Sequence, residues 1–174
     1  NDKMERAKYR LHSNDELAVE LERRRFGGVD CTWSVREFHR FLATCMVDGH
    51  EDFAAIACLT WYAGLRIHEC FRIDTATAEQ ALRENAITIK GKGGKVRTAP
   101  INESISIELK KLLSVTPLGH KLFVPDGVST DIAIARLQQY IYKVRPQIQD
   151  EDSIRPMTHH GLRHSYAART YQEL

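Results

Sequence analysis

Long apolar runs are missing from this chain of 174 residues, so no stretch of it reads as a bilayer-spanning helix. No leader pattern is recognisable either, and neither repeats nor low-complexity tracts interrupt the sequence. The four cysteines, Cys31, Cys45, Cys58 and Cys70, form no Cys-x-x-Cys pair. Cys45 and Cys58 fall in apolar helical runs, where a buried thiol is expected, so the cysteine pattern predicts a reducing, cytoplasmic compartment. One-sided charge is also lacking: the formal net charge of +2 is too small to announce nucleic acid by itself. What the chain does have is 43% hydrophobic residues, enough for one real core and a small appendage.

The distribution of charge says more than its total. Residues 31–82 carry more acids than bases, whereas residues 83–121 hold eight Lys and Arg against three Glu. A basic middle on a nearly neutral chain predicts a local anion-binding surface.

Residues 1–30 read as an arm or linker with one short helix. That helix starts at the capping box Ser13-Asn14-Asp15-Glu16 and passes Arg23-Arg24-Arg25 before Gly27-Gly28. A second capping box, Ser34-x-x-Glu37, opens an amphipathic helix that ends near Asp48-Gly49. Residues 51–63 are apolar nearly all round and predict the central buried helix. Gly64 interrupts it, and Leu65-Arg66-Ile67-His68-Glu69 begins a new turn. Residues 75–84 read as helix. Ala86–Lys90 and Lys95–Ile101 alternate around Gly91-Lys92-Gly93-Gly94, the pattern of a β-hairpin. Asn102 caps a helix to about Leu113, and Leu122–Pro125 reads as extended. Ser129 or Thr130 caps a long helix, Ile132 to Arg145, with Pro146 as its stop. Thr158 caps the last helix, which has no breaker after Gly161. The fold class expected is α+β, mainly α: one helical domain with a small antiparallel sheet.

Several side chains stand out against this frame. Arg66 is a permanent charge at the end of the most apolar stretch, costly there unless paired or functional, and Glu69 is the natural partner. A buried Arg–Glu bridge explains the pair nearly as well. Lys90, Lys92, Lys95 and Arg97 sit on the ribbon with no acid between Glu84 and Glu103. Lys92 lies between two glycines, where backbone comes close to a ligand. His160 and Arg163, three apart on a helix, bring an imidazole and a guanidinium to one face. Imidazole moves protons near neutral pH, and guanidinium grips planar oxyanions. Four separated segments thus each offer a group suited to phosphate chemistry.

The order of these groups resembles a known family. Gly64-Leu65-Arg66-x-x-Glu69, then Gly91-Lys92-Gly93-x-Lys95-x-Arg97, then His160-x-Leu162-Arg163-His164 is similar to the catalytic domain of tyrosine site-specific recombinases. These include the phage-type integrases and the Xer-like enzymes, and the resemblance spans about Ser34 to Leu174. It implies that Arg66 and Arg163 clamp the scissile phosphate, that Lys92 is the general acid, and that His160 assists proton transfer. Glu69 then supports its neighbours, and Lys90, Lys95 and Arg97 meet the DNA backbone. His159 falls outside the motif and is expected to be incidental.

The family attacks DNA with a later tyrosine. Tyr166 and Tyr171 follow Arg163 too closely to match it, so residues 31–174 are expected to form a catalytic domain lacking its nucleophile segment, inactive as it stands. A helical pattern at residues 75–83, where the family has an early strand, predicts a small sheet or an insertion there. The resemblance further implies double-stranded DNA as partner, a homo-tetramer on paired sites, a nucleoid-associated location and no metal or other cofactor. Three alternatives remain at this level: a DNA-binding regulator that keeps the fold without catalysis, a type IB topoisomerase-like nicking and closing enzyme, and a metal-binding module built on His160 and His164.

Overall fold

Residues 30–91, 94–153 and 155–172 are described by the computed structural model. In chain order they form α1 (Val35–Val47), α2 (Glu51–Ala63), α3 (Ile67–Cys70), α4 (Thr75–Glu84), β1 (Ala86–Lys90), β2 (Val96–Pro100), α5 (Glu103–Val115), α6 (Thr130–Ile148) and α7 (His159–Gln172). The expected arm and helix of residues 1–29 lie outside the described residues, as does Lys92.

Four of these helices begin at a short polar side chain that accepts from an otherwise orphaned amide. Ser34 does so for α1, completing a capping box with Glu37. Asp74, Asn102 and Ser129 do the same for α4, α5 and α6. Helix α2 is the centre of the molecule. Ten of its thirteen residues are buried, and α1, α5 and α7 pack around it. Phe38 of α1 stacks on Trp61 of α2 with ring centroids 4.3 Å apart. Full burial of a ring such as Phe38 contributes about 2–3 kcal/mol relative to exposure.

The sheet has two antiparallel strands, in register from Ala86 opposite Pro100 to Lys90 opposite Val96. Ile87, Ile89 and Ala99 face the core, while Thr88 and Thr98 face solvent and meet through their hydroxyls at 3.2 Å. Period-two alternation therefore fixes which ribbon face is covered.

Residues 75–84 agree with expectation, and two other details differ from it. Residues 75–84 are helical, as their own pattern predicted, and contribute no extra strand; the ribbon remains two-stranded. Residues 122–125 form turns rather than an extended piece. Helix α6 continues through Pro146 to Ile148. A proline there leaves the Tyr142 carbonyl without its helical donor, a loss that is cheaper on a residue 72% exposed to solvent than in the core. Ile148, fully buried, holds the last turn in the core.

Candidate functional site

Gly64 sets the geometry on which the site is built. It ends α2 with φ of +63°, in the left-handed region, and the Tyr166 ring of α7 lies where a Cβ would project. Any other residue would be strained and would also collide with that ring. The chain then turns at once, so that Arg66 leaves the core at the start of α3 while Glu69 stays inside it, 3% exposed.

Glu69 is the hub of three arginine contacts. Its Oε2 accepts from the Arg66 amide at 2.7 Å and from Arg97 Nη2 at 2.7 Å. Its Oε1 accepts from Arg66 Nη1 at 3.1 Å. Burial alone would raise the Glu69 carboxyl, but the Arg66 amide and the Arg97 and Arg66 guanidiniums outweigh it and hold the group below the usual carboxylate value. The Gly64 carbonyl is a second shared acceptor: Arg97 Nη2 reaches it at 3.1 Å, and Arg163 Nη1 of α7 donates to it as well. Two acceptors thus hold Arg66, Arg97 and Arg163 in one cluster.

Helix α7 is anchored by contacts across the whole chain. Gly161 lies against the Cys31 carbonyl and the Trp33 ring, closer than a Cβ would allow. The Trp33 amide donates to Ser165 Oγ at 2.7 Å, and Trp33 Nε1 donates to the Thr158 carbonyl at 3.0 Å. His159 is buried and shares a hydrogen bond with the Thr60 hydroxyl of α2, Nε2 to Oγ1 2.9 Å. With its first turn fixed from inside, α7 presents His160 and Arg163 outward.

The result is a hollow of about 430 Å³ lined by Arg66, His160 and Arg163, with Arg145, Tyr142 and His68 beside them. No acidic residue lines it among the described residues. Desolvation, then the charges of Arg66 and Arg97, hold Arg163 below its ordinary value. Burial, then His164, Arg163 and Arg66, lower His160 likewise, so its ring is neutral at physiological pH. Cations crowd one another here, and an entering anion relieves that repulsion.

Of the residues singled out in the sequence, Arg66, Glu69, His160 and Arg163 therefore meet. Lys90 and Lys95 are exposed on the ribbon, whose turn is closed by the Gly91 amide donating to the Lys95 carbonyl at 2.8 Å. Arg97, expected beside them, points its Nη2 inward to Glu69 and Gly64. The His160 and His164 rings meet edge to face at 4.5 Å. No cluster of three or more metal-ligating side chains accompanies them among the described residues. Sequence reasoning missed Arg145, whose Nη2 donates to the Met157 carbonyl at 2.9 Å, and the inward role of His159. Only the position of Arg145 on the face of α6 shared with Ile141 and Gln138 hinted at the former.

The sequence pattern of the phage integrase family matches residues 35–173. The chain belongs to that family. Solved structures of similar fold include XerA recombinase, at 20% identity and TM-score 0.61, covering 92% of this chain and 57% of that one. The integrase of mycobacterium phage Brujita is 19% identical with TM-score 0.57, covering 95% and 52%. The Tn1549 transposon integrase, solved with circular intermediate DNA, is 16% identical with TM-score 0.58, covering 85% and 54%. The chain thus spans a little over half the length of these relatives and has the fold of a tyrosine recombinase catalytic domain. No curated sequence matches it. Among the described residues no helix is long and apolar enough to cross a membrane.

Proposed function

We propose that the protein containing this chain performs site-specific DNA recombination, cutting and rejoining strands through a 3′-phosphotyrosyl intermediate. The observation that supports this most strongly is the convergence of Arg66, His160 and Arg163 on one hollow. Three guanidiniums, of Arg66, Arg145 and Arg163, line the hollow, and no carboxylate does among the described residues. A phosphodiester carries one negative charge, and its five-coordinate transition state carries two. The site is therefore better matched to the transition state than to the substrate.

In this reading Arg66 and Arg163 bind the non-bridging oxygens. A tyrosine phenol oxygen forms the new bond to phosphorus and gives its proton toward the neutral His160. The bond to the 5′ oxygen breaks as Lys92 donates a proton to that leaving group. The tyrosyl link conserves the phosphodiester energy, so resealing needs no nucleotide. Double-stranded DNA is the partner, with Lys90 and Lys95 against its backbone and a homo-tetramer on paired sites as the working assembly.

A covalent trap tests this. Full-length protein carrying this chain, incubated with a nicked suicide duplex, should yield a denaturant-resistant protein–DNA adduct. Arg163→Ala should abolish the adduct and leave duplex affinity within about threefold, because backbone contacts elsewhere dominate binding. Absence of the adduct on the recombination site, with binding intact, would favour a regulator that keeps the fold without catalysis. Tyr142 lines the hollow, whereas the Tyr166 ring is packed on Gly64. Tyr142→Phe should therefore be made as a control, and it is expected to keep the adduct.

A further inference from the structure

The ribbon arginine has a place that a DNA-backbone contact does not explain. Arg97 sits mid-strand in β2, paired across the ribbon with Ile89. Its side chain is 34% exposed, and its Nη2 is shared between Glu69 Oε2 at 2.7 Å and the Gly64 carbonyl at 3.1 Å. Its Nε is buried and has no hydrogen-bond partner among the described residues. A side chain committed to a phosphate backbone would keep its donors in water. This one leaves a donor unsatisfied inside the protein in order to reach two particular acceptors.

Those two acceptors are the ones that hold the arginines of the hollow. Glu69 Oε2 also takes the Arg66 amide, and the Gly64 carbonyl also takes Arg163 Nη1. Arg97 is therefore the member of the cluster that touches both supports, and it does not line the hollow itself. We infer that Arg97 is a positioning residue: it ties the β-ribbon to the phosphate clamp by holding Glu69 and the Gly64 carbonyl together, so that Arg66 and Arg163 stay aimed at one anion. Strands β1 and β2 and the two clamping arginines are then coupled through one side chain. This rests on the phosphate reading of the hollow.

The chemistry makes a sharp demand on the side chain. A planar guanidinium bridges a carboxylate and a carbonyl through fixed donors, while a lysine amine supplies the same charge without that fork. Arg97→Lys thus keeps the charge and loses the bridge. If Arg97 matters only as a nearby charge, Arg97→Lys is silent. Glu69→Gln separates the same alternatives by sign: loss of a negative charge tightens anion binding if electrostatics alone governs, and weakens it if the carboxylate positions the clamp.

The test uses this chain with two probes: inorganic phosphate, followed by NMR shifts of the His160 ring, and a mixed-sequence duplex of about 30 base pairs, followed over a range of salt. Arg97→Lys and Glu69→Gln are each expected to weaken phosphate binding about tenfold, with the duplex salt slope unchanged. Arg97→Ala should match Arg97→Lys or exceed it; if the alanine variant does not fold, the lysine and glutamine variants decide. Wild-type phosphate affinity in Arg97→Lys would overturn the inference. So would a salt slope reduced by about one in Arg97→Ala with phosphate affinity unchanged, the mark of a backbone contact. If the wild-type chain shows no saturable phosphate binding, the phosphate reading fails and takes this inference with it. If only the covalent adduct is absent, the role of Arg97 stands without the chemistry.

Discussion

Replacing His159 with Gln removes a buried titrating group while keeping a side chain able to hydrogen bond to Thr60. His159 is enclosed where α7 meets α2, with Thr60 Oγ1 2.9 Å from Nε2 and Cys70 Sγ 3.8 Å beyond that hydroxyl. Burial, and then the neighbouring His160 charge, push its pKa down from 6.5 to about 4. The unfolded chain therefore takes up this proton before the folded one does. Stability from keeping His159 neutral is complete above about pH 6.5 and is lost as pH falls toward about 4. At about 1.4 kcal/mol per pH unit the full interval amounts to about 3 kcal/mol, of which about 2 kcal/mol is gone at pH 5.

Urea denaturation followed by far-UV circular dichroism, at about pH 7.5 and about pH 5, reads this directly. Wild type should lose about 2 kcal/mol more between the two conditions than His159→Gln. The substitution itself should cost about 1 kcal/mol at the higher pH, through imperfect packing. Carboxylates titrate alike in both proteins and cancel in the difference. His160 is also held low, by burial first and then by His164, Arg163 and Arg66, so His160→Gln provides the companion measurement. Equal losses in wild type and His159→Gln would refute the reasoning, since a buried neutral imidazole must resist protonation.

Gly64→Ala should destabilise the fold by about 2–4 kcal/mol, from left-handed backbone strain together with collision against Tyr166; a thermal melt displaced by only a degree or two would contradict it. Lys95→Ala, on the exposed ribbon, should lower the salt slope of duplex binding by about one and leave stability unchanged, as a filter-binding series over salt would record.

Much of this architecture is legible along the chain because its signals are local. Ser34, Asn102 and Ser129 announce helix starts through hydrogen bonds spanning three residues, and glycines between alternating runs announce the ribbon. Arg66, His160 and Arg163 stand out because a permanent charge beside apolar sequence, or paired with an imidazole at helical spacing, needs a reason. What escapes is decided by partners far away in sequence. Arg97 looks like one more ribbon cation until Glu69 and the Gly64 carbonyl are seen beneath it. His159 looks redundant beside His160 until Thr60, 99 residues earlier, receives it. Pro146 reads as a stop because sequence rules weigh the missing amide and not the grip of Ile148 on the core.

The double use of the Gly64 carbonyl bears on the order in which the molecule is made. It takes a donor from the ribbon 33 residues later and another from α7, 99 residues later. While synthesis has reached only the ribbon, Arg66 and Glu69 can already be joined by Arg97, but the second clamping arginine has not emerged. A nascent chain at that stage holds only α1 of the three helices that pack around α2, and Arg66 without Arg163. His160 and Arg163 join Arg66 only when α7 docks on the rest of the core, so the hollow is among the last parts of the described fold to be completed.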